Sequence, residues 1–292
     1  MRGALLVMLG GAALLFTVIV PTRLAALIEP AQPDLAITGK LVQGGWARGI
    51  APGDAQSLSF DGKPVALAAD RHFFLAFDRD AAPVAELRIR RPDGTAALQK
   101  LAIAPRAWQI EHIPLGPRPG TPPNEAFRIR RADELARINA ARAVGAVSDG
   151  WRQSFIWPVT GRLSGRFGSQ RIYNGTPGNY HSGLDIATGA SGTPFVAPAD
   201  GVVILAAQSP FTLEGRLLMI DHGMGLNSAF LHCSQLAVKE GDTVRRGQFI
   251  GRIGMTGRAT GPHLHWSIKW QDKRLDPLLF AGAMPDGVLP KN

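Results

Sequence analysis

The run His263-Leu264-His265-Trp266-Ser267-Ile268-Lys269-Trp270 alternates polar and apolar residues without a break. Successive side chains of a strand point to opposite faces. The segment therefore predicts a β-strand with His263, His265, Ser267 and Lys269 on one face. Leu264, Trp266, Ile268 and Trp270 go to the other face, into a core. Neighbouring segments are of the same kind. Gly201-Val202-Val203-Ile204-Leu205, Leu217-Leu218-Met219-Ile220 and Phe249-Ile250-Gly251-Arg252-Ile253 are strand-sized apolar runs bounded by turn residues. Together they predict a mainly β, antiparallel domain in the C-terminal half.

The same region concentrates histidine. Five of the seven histidines lie between His181 and His265. Besides the His263/His265 pair there is His181-Ser182-Gly183-Leu184-Asp185, and between them Phe230-Leu231-His232. His181 and Asp185 are four apart, so they share a face in a helix or a strand; Gly183 and the run Leu184-Asp185-Ile186-Ala187 favour a loop entering a strand. Imidazole nitrogen and carboxylate oxygen are what zinc accepts, and three protein ligands leave a fourth position for water. A single H-x-H arises from alternation alone and marks an ordinary surface or core histidine as readily as a ligand. Two paired motifs and a third histidine within one segment weigh toward a metal site. His222 directly follows an apolar run and fits a strand-end turn better than a ligand set. No H-E-x-x-H is present, which excludes a helix-borne zincin.

On these motifs, residues 151–283 resemble the M23 peptidases, the lysostaphin and LytM type of zinc metalloendopeptidase that cuts peptide bridges in bacterial cell wall. Trp157-Pro158-Val159, Gly165-Arg166-Phe167-Gly168, the stretch from Pro194 to Gly201, that from Gly241 to Gly251, and Asp276-Pro277 fit as well. The resemblance implies an antiparallel β catalytic domain of the LytM, duplicated-hybrid-like type. It implies Zn2+ held by His181, Asp185 and His265, and catalytic roles for His232 and His263. It implies hydrolysis of peptidoglycan cross-links, with zinc supplying hydroxide near neutral pH and the two further histidines supplying a general base and oxyanion stabilisation. Cys233 departs from the Leu or Met usual after the intermediate histidine. It reads as a small core residue, the alternative being a soft atom near the metal. A catalytically inactive LytM-type regulator of cell-wall amidases is the alternative function, and the complete set of histidines argues against it. A lipoyl- or biotin-carrier domain, suggested by Ala199-Asp200-Gly201-Val202 and Gly241-Asp242-Thr243-Val244, lacks the modifiable lysine at a Met-flanked tip.

The remainder of the 292 residues divides by composition. Residues 1–26 form a signal peptide or membrane anchor: residues 3–21 are uncharged and almost wholly apolar, about the length that spans a bilayer, and no good A-x-A site follows. Residues 35–106 predict a small β-sandwich of immunoglobulin-like type. Val84-Ala85-Glu86-Leu87-Arg88-Ile89-Arg90 alternates, and Pro92-Asp93-Gly94-Thr95 and Asp61-Gly62 mark turns. Residues 107–150 hold a Pro-rich linker and a basic helix over 125–144, with Phe127, Leu135 and Ile138 at helical spacing. Tyr173, Asn174 and Tyr180 precede the first metal motif in what reads as a long loop shaping access. His72 and His112 stand alone and read as structural or exposed.

A net charge of +9 suits an anionic envelope. With no zinc-finger, RNP or helix-turn-helix spacing, no nucleic-acid partner is expected. One cysteine excludes an intramolecular disulfide. The expected location is the cell envelope, on the periplasmic side of the inner membrane, anchored or secreted. The expected partners are the peptidoglycan peptide substrate, the membrane if the N-terminal segment is retained, and possible regulatory proteins.

Overall fold

A computed structural model describes residues 35–114 and 124–285. The apolar run 3–21 and the Pro-rich stretch 116–123 lie outside the described residues. Among the described residues no helix is long and apolar enough to cross a membrane. The architecture is mainly β, and the described residues fall within one compact unit.

The N-terminal part is two antiparallel sheets. One has the order β1 (Ile37–Lys40), β2 (Trp46–Ile50), β5 (His72–Ala76). The other orders β4 (Lys63–Val65), β3 (Ser57–Phe60), β6 (Val84–Arg90), β7 (Ala96–Ala102). Phe73 and Leu75 from the first sheet share a core with Leu58, Phe60, Leu87 and Ile89 from the second. The alternation in β6 is visible in its burial, with Ala85, Leu87 and Ile89 inward. Asp61-Gly62 closes the β3–β4 hairpin with φ of 46° and 77°, the two positive dihedrals that a tight two-residue turn demands.

Residues 107–114 are more than a linker. β8 (Ile110–Ile113) pairs in parallel with β10 (Gln170–Tyr173), which pairs with β11 (Thr176–Pro177). Beyond the undescribed stretch, α1 (Glu125–Ala143) begins at Asn124, whose Oδ1 accepts from the Phe127 N–H at 2.8 Å.

The C-terminal region is built on an eight-stranded sheet. It comprises β9 (Arg162–Gly165), β12 (Leu184–Ala187), β14 (Gly201–Ala206), β15 (Arg216–Asp221), β16 (Leu226–Cys233), β18 (Thr243–Val244), β20 (Leu264–Trp270) and β21 (Lys273–Leu275). The order is β18-β14-β15-β16-β20-β12-β9, with β21 on β20. A small sheet, β13 (Pro194–Val196), β19 (Phe249–Arg252) and β17 (Gln235–Leu236), covers one face. Leu218, Ile220, Phe230, Trp266 and Ile268 point into that layer with Phe195 and Ile250. Leu217, Met219, Ala229 and Leu231 point the opposite way, where Ile138 and Ala141 of α1 cover them. The rest of this second face, along β20 and β12, is left to the polar side chains that the alternation sends there. A short α2 (Leu278–Ala281) closes the described fold.

Candidate metal centre

Register brings the predicted residues together. β12 and β20 are antiparallel neighbours with Asp185 directly opposite His265. His181 enters from the loop before β12, so that its Nε2 stands 3.1 Å from Asp185 Oδ1, while His265 Nδ1 stands 2.8 Å from the same oxygen. One donor atom each from His181, Asp185 and His265 lies within 4.8 Å of the others. The approach needs two glycines. A Cβ at position 165 would sit 2.4 Å from Asp185 Oδ2, and one at 183 would sit 2.8 Å from His265 Nε2 and closer still to the Trp266 carbonyl.

His263 and His232 complete the cluster. His263 Nε2 is 3.6 Å from Asp185 Oδ1. The His232 ring centroid lies 4.9 Å from that of His263 and 6.3 Å from that of His265. Leu231, not His232, is the register partner of His265, so regular alternation would send His232 into the core. A φ of +66° at His232 breaks the alternation and lets the ring join the site. Such a backbone in a non-glycine residue is strained by about 1–3 kcal/mol and is held by its surroundings. Here the His232 ring bonds the Thr256 carbonyl and its backbone N–H donates to Glu214 O.

Second partners fix which nitrogen each ring offers. Nδ1–H of His181 donates to Arg166 O at 3.2 Å, that of His232 to Thr256 O at 2.9 Å, and that of His263 to Gly261 O at 2.9 Å. Each leaves Nε2 with a lone pair facing the site, the arrangement that orients ligating or proton-accepting imidazoles. Burial alone would raise the Asp185 carboxyl, but the His181 and His265 rings outweigh it and hold the group well below the usual carboxylate range. Burial disfavours a charged His181, and the Asp185 carboxylate reverses this, so its pKa rises. His265 goes down because burial dominates. His232 is lowered to about 4 by burial, with repulsion from the neighbouring rings added. Two imidazole nitrogens and one ionised oxygen converging on one point, with His181 tied from behind through Nδ1, fit a tetrahedral zinc with an open position.

The site opens on a groove of about 970 Å³. Its walls include Glu111 of β8, Tyr173 of β10, Tyr180, Arg258 and Thr260, and it reaches His181 and Asp185. On the other side of His265 a smaller hollow of about 220 Å³ runs between α1 and β20.

Tyr173 and Tyr180 thus line the groove, whereas Asn174 does something else. The expected long loop is a hairpin, and Asn174-Gly175, at φ of 45° and 80°, is its two-residue turn. Asn-Gly between two short strands was the signal for it. Cys233 is fully buried and donates to Phe230 O at 3.6 Å. Burial pushes its thiol up to about 12, so it offers no thiolate. His222 is also fully buried, bonded to Asp200 O and Ser228 Oγ at 2.8 Å each. His72 pairs with Asp70 at 3.1 Å and His112 lies in β8; neither is near the centre. Sequence reading passed over the carbonyls of Arg166, Thr256 and Gly261, because a backbone acceptor has no signature in residue type.

The profile of peptidase family M23 matches residues 179–277. The peptidoglycan DD-endopeptidase ShyA of Vibrio cholerae is 40% identical over 108 residues, 37% of this chain and 24% of that protein. The lipoprotein NlpD/LppB homolog of Pseudomonas aeruginosa is 37% identical over 143 residues, 49% of this chain and 42% of that protein. The chain therefore spans less than half of the length of these curated relatives. A Pseudomonas aeruginosa protein described as an M23 peptidase has a crystal structure that matches with a TM-score of 0.62 and 31% identity, over 84% of this chain and 96% of that one.

Proposed function

Because the chain belongs to peptidase family M23, we propose that it is a zinc-dependent endopeptidase that hydrolyses peptide cross-links of peptidoglycan. The observation that carries this reading is the convergence of His181 Nε2, Asp185 Oδ1 and His265 Nδ1, with two further imidazoles beside them. Those three residues would hold the metal. Bound there, zinc would lower the pKa of a water from about 15.7 toward about 7 and polarise the scissile carbonyl.

The chain's own residues supply the rest. Asp185, ionised throughout the neutral range, anchors His181 and His265 in position. His263 offers Nε2 next to the ligand set and takes the proton of the attacking water. His232, neutral at physiological pH, packs against His263 with its own Nε2 free. The ring that accepts the proton returns it to the departing amine, the usual work of a positioned imidazole. The groove beside His181 gives an extended peptide a path to the centre. The regulator reading requires a site that has lost ligands, and all three are present. We place the activity in the cell envelope, since the apolar run 3–21 is suited to direct export. A topology reporter fused after Asn292 should then report from outside the cytoplasm, and a cytoplasmic signal would remove access to assembled peptidoglycan.

The test of the enzyme is digestion of purified sacculi with and without chelator, with the products identified by mass. Cross-link fragments should appear only without chelator, from protein holding about one zinc per chain. His181→Ala, Asp185→Ala and His265→Ala should each lose most of the metal. His232→Ala and His263→Ala should keep it while turnover falls by roughly 10²–10⁴. Full zinc retention in Asp185→Ala would refute the ligand set, and near-normal turnover in both remaining variants would refute the proton-transfer roles.

A further inference from the structure

We propose that Arg142, Lys269 and Arg274 form a carboxylate-binding subsite at the far end of the cleft, which takes an anionic group of an acidic substrate peptide. The proposal rests on the peptidase reading and extends it to what the substrate carries. Three elements supply the cations. Lys269 points to the same face of β20 as His265, four residues further on. At about 3.3 Å per residue that is about 13 Å along the strand. Arg274 of β21 is its register partner across the hairpin. Arg142, in the last turn of α1, comes from the opposite wall, and all three line the hollow that begins at His265. The hollow is thus a continuation of the metal centre, away from the main groove.

The charge there is unbalanced. Among the described residues, none of the three side chains forms an ion pair, although most other arginines around the helix do. Arg142 Nε is buried with no hydrogen-bond partner. Buried polar groups are nearly always paired, so an orphan of this kind calls for an explanation. The nearest acids offset this charge only in part, each being bonded to another group as well. Glu214 grips Arg131 through two bonds of 2.6 and 2.7 Å. Asp78 accepts from Tyr180 Oη at 3.2 Å and from the backbone N–H of Arg274 at 2.9 Å. Asp272 pairs with Lys63 at 2.7 Å. Burial, followed by repulsion from Arg142 and Arg274, lowers the Lys269 ammonium pKa, and burial, followed by repulsion from Arg274, lowers that of Arg142. Three like charges gathered in a half-buried hollow lose stability that an anion restores, and a guanidinium fork is suited to a planar carboxylate. Ser182 and Ser267 add hydroxyls along the way. The spacing matches about four residues of extended chain between the scissile bond and the acidic group.

The test uses chelator-treated full-length protein, so that ligand is not consumed. The probe is a cross-linked stem-peptide dimer released from sacculi by muramidase, alongside the same dimer with its carboxylates converted to amides. Calorimetric titration should show the acidic dimer binding at least tenfold tighter than the amide. That ratio should fall toward one in Lys269→Met and in Arg274→Met. Arg274 lies in the edge strand β21 and Lys269 opposite it on β20, and both avoid the risk that Arg142→Met disturbs the helix. A ratio near one in the wild type, a ratio that survives both substitutions, or no binding of either dimer would overturn the subsite. Cleavage of the acidic dimer by zinc-loaded wild type is read separately. Failure there sinks the peptidase reading, while the binding ratio still decides the subsite.

Discussion

His222 shows what full burial does to an imidazole when every proton has an assigned place. Trp266 Nε1–H donates to Ser228 Oγ at 3.3 Å, the Ser228 hydroxyl faces His222 Nε2, and Nδ1–H goes to Asp200 O. A second ring proton would force the Ser228 hydroxyl to turn away from His222, and burial lowers the pKa to about 4. The unfolded chain titrates this residue near 6.5. Because the folded value is depressed, the neutral ring favours the fold above pH about 6.5. That contribution is lost as pH falls from about 6.5 to about 4, and the total is on the order of 3 kcal/mol. Urea midpoints measured from pH 7.5 to 4 should therefore decline more steeply for the wild type than for His222→Gln, in which the titration is gone. Parallel profiles would refute the assignment. At this scale the sequence was most legible where register does the positioning. His263, His265 and Asp185 follow from strand alternation. His232 does not, because its place depends on a positive φ that alternation would have denied it. Arg142, Lys269 and Arg274 come from segments too far apart for any spacing rule to join them.

At the scale of the element, α1 shows a partial reading of another kind. Helical spacing over 125–144 predicts a helix, and α1 spans Glu125–Ala143. The face it buries is only in part the one the apolar residues suggested. Leu135 is exposed, and Glu134 is buried beside Ile138. The Glu134 carboxylate accepts from Arg130 Nε at 3.1 Å, Arg131 Nη1 at 3.2 Å and the Thr212 backbone N–H at 2.7 Å. The last of these ties the helix to the loop between β14 and β15, a partner no local pattern reveals. Glu134→Ala would leave the Thr212 backbone donor unpaired at a buried interface and take one partner each from Arg130 and Arg131, which keep Pro210 O and Glu214. Leaving a buried donor without its acceptor costs about 1–3 kcal/mol. The urea midpoint should fall by a matching amount with little change in slope, and an effect under about 1 kcal/mol would mean that the apolar contact of Ile138 and Ala141 alone holds the helix.

Across the whole molecule, the sandwich and the zinc-type domain are read separately from sequence, yet they share buried aromatic contacts. β5 carries the reason. Phe73 and Leu75 fill the sandwich core, while Phe74 and Ala76, on the opposite face, are buried against the other region. Its run Phe73-Phe74-Leu75-Ala76 lacks polar alternation, the mark of a strand covered on both sides. Phe74 lies 6.0 Å from Trp270, the last residue of the strand that carries His265, and Trp46 lies 5.4 Å from Phe280 of α2. Trp46 Nε1–H donates to Leu279 O at 3.3 Å, and Arg106 pairs with the buried Asp276 at 2.8 Å. Burying side chains of this size is worth about 1.5–3 kcal/mol each, and Asp276 without Arg106 would be a buried carboxyl lacking its ion pair. The contact ends directly beneath β20, so the sandwich supports the strand that carries His265. A fragment of residues 145–292 should accordingly be less soluble and melt at least 10 °C below a chain of residues 31–292, for which a stability change of a few kcal/mol shifts the midpoint by about 2–4 °C per kcal/mol. The longer chain should unfold in one calorimetric transition. A fragment as stable as the longer chain, or two resolved transitions in the latter, would show that the aromatic contact joins two independently folding units.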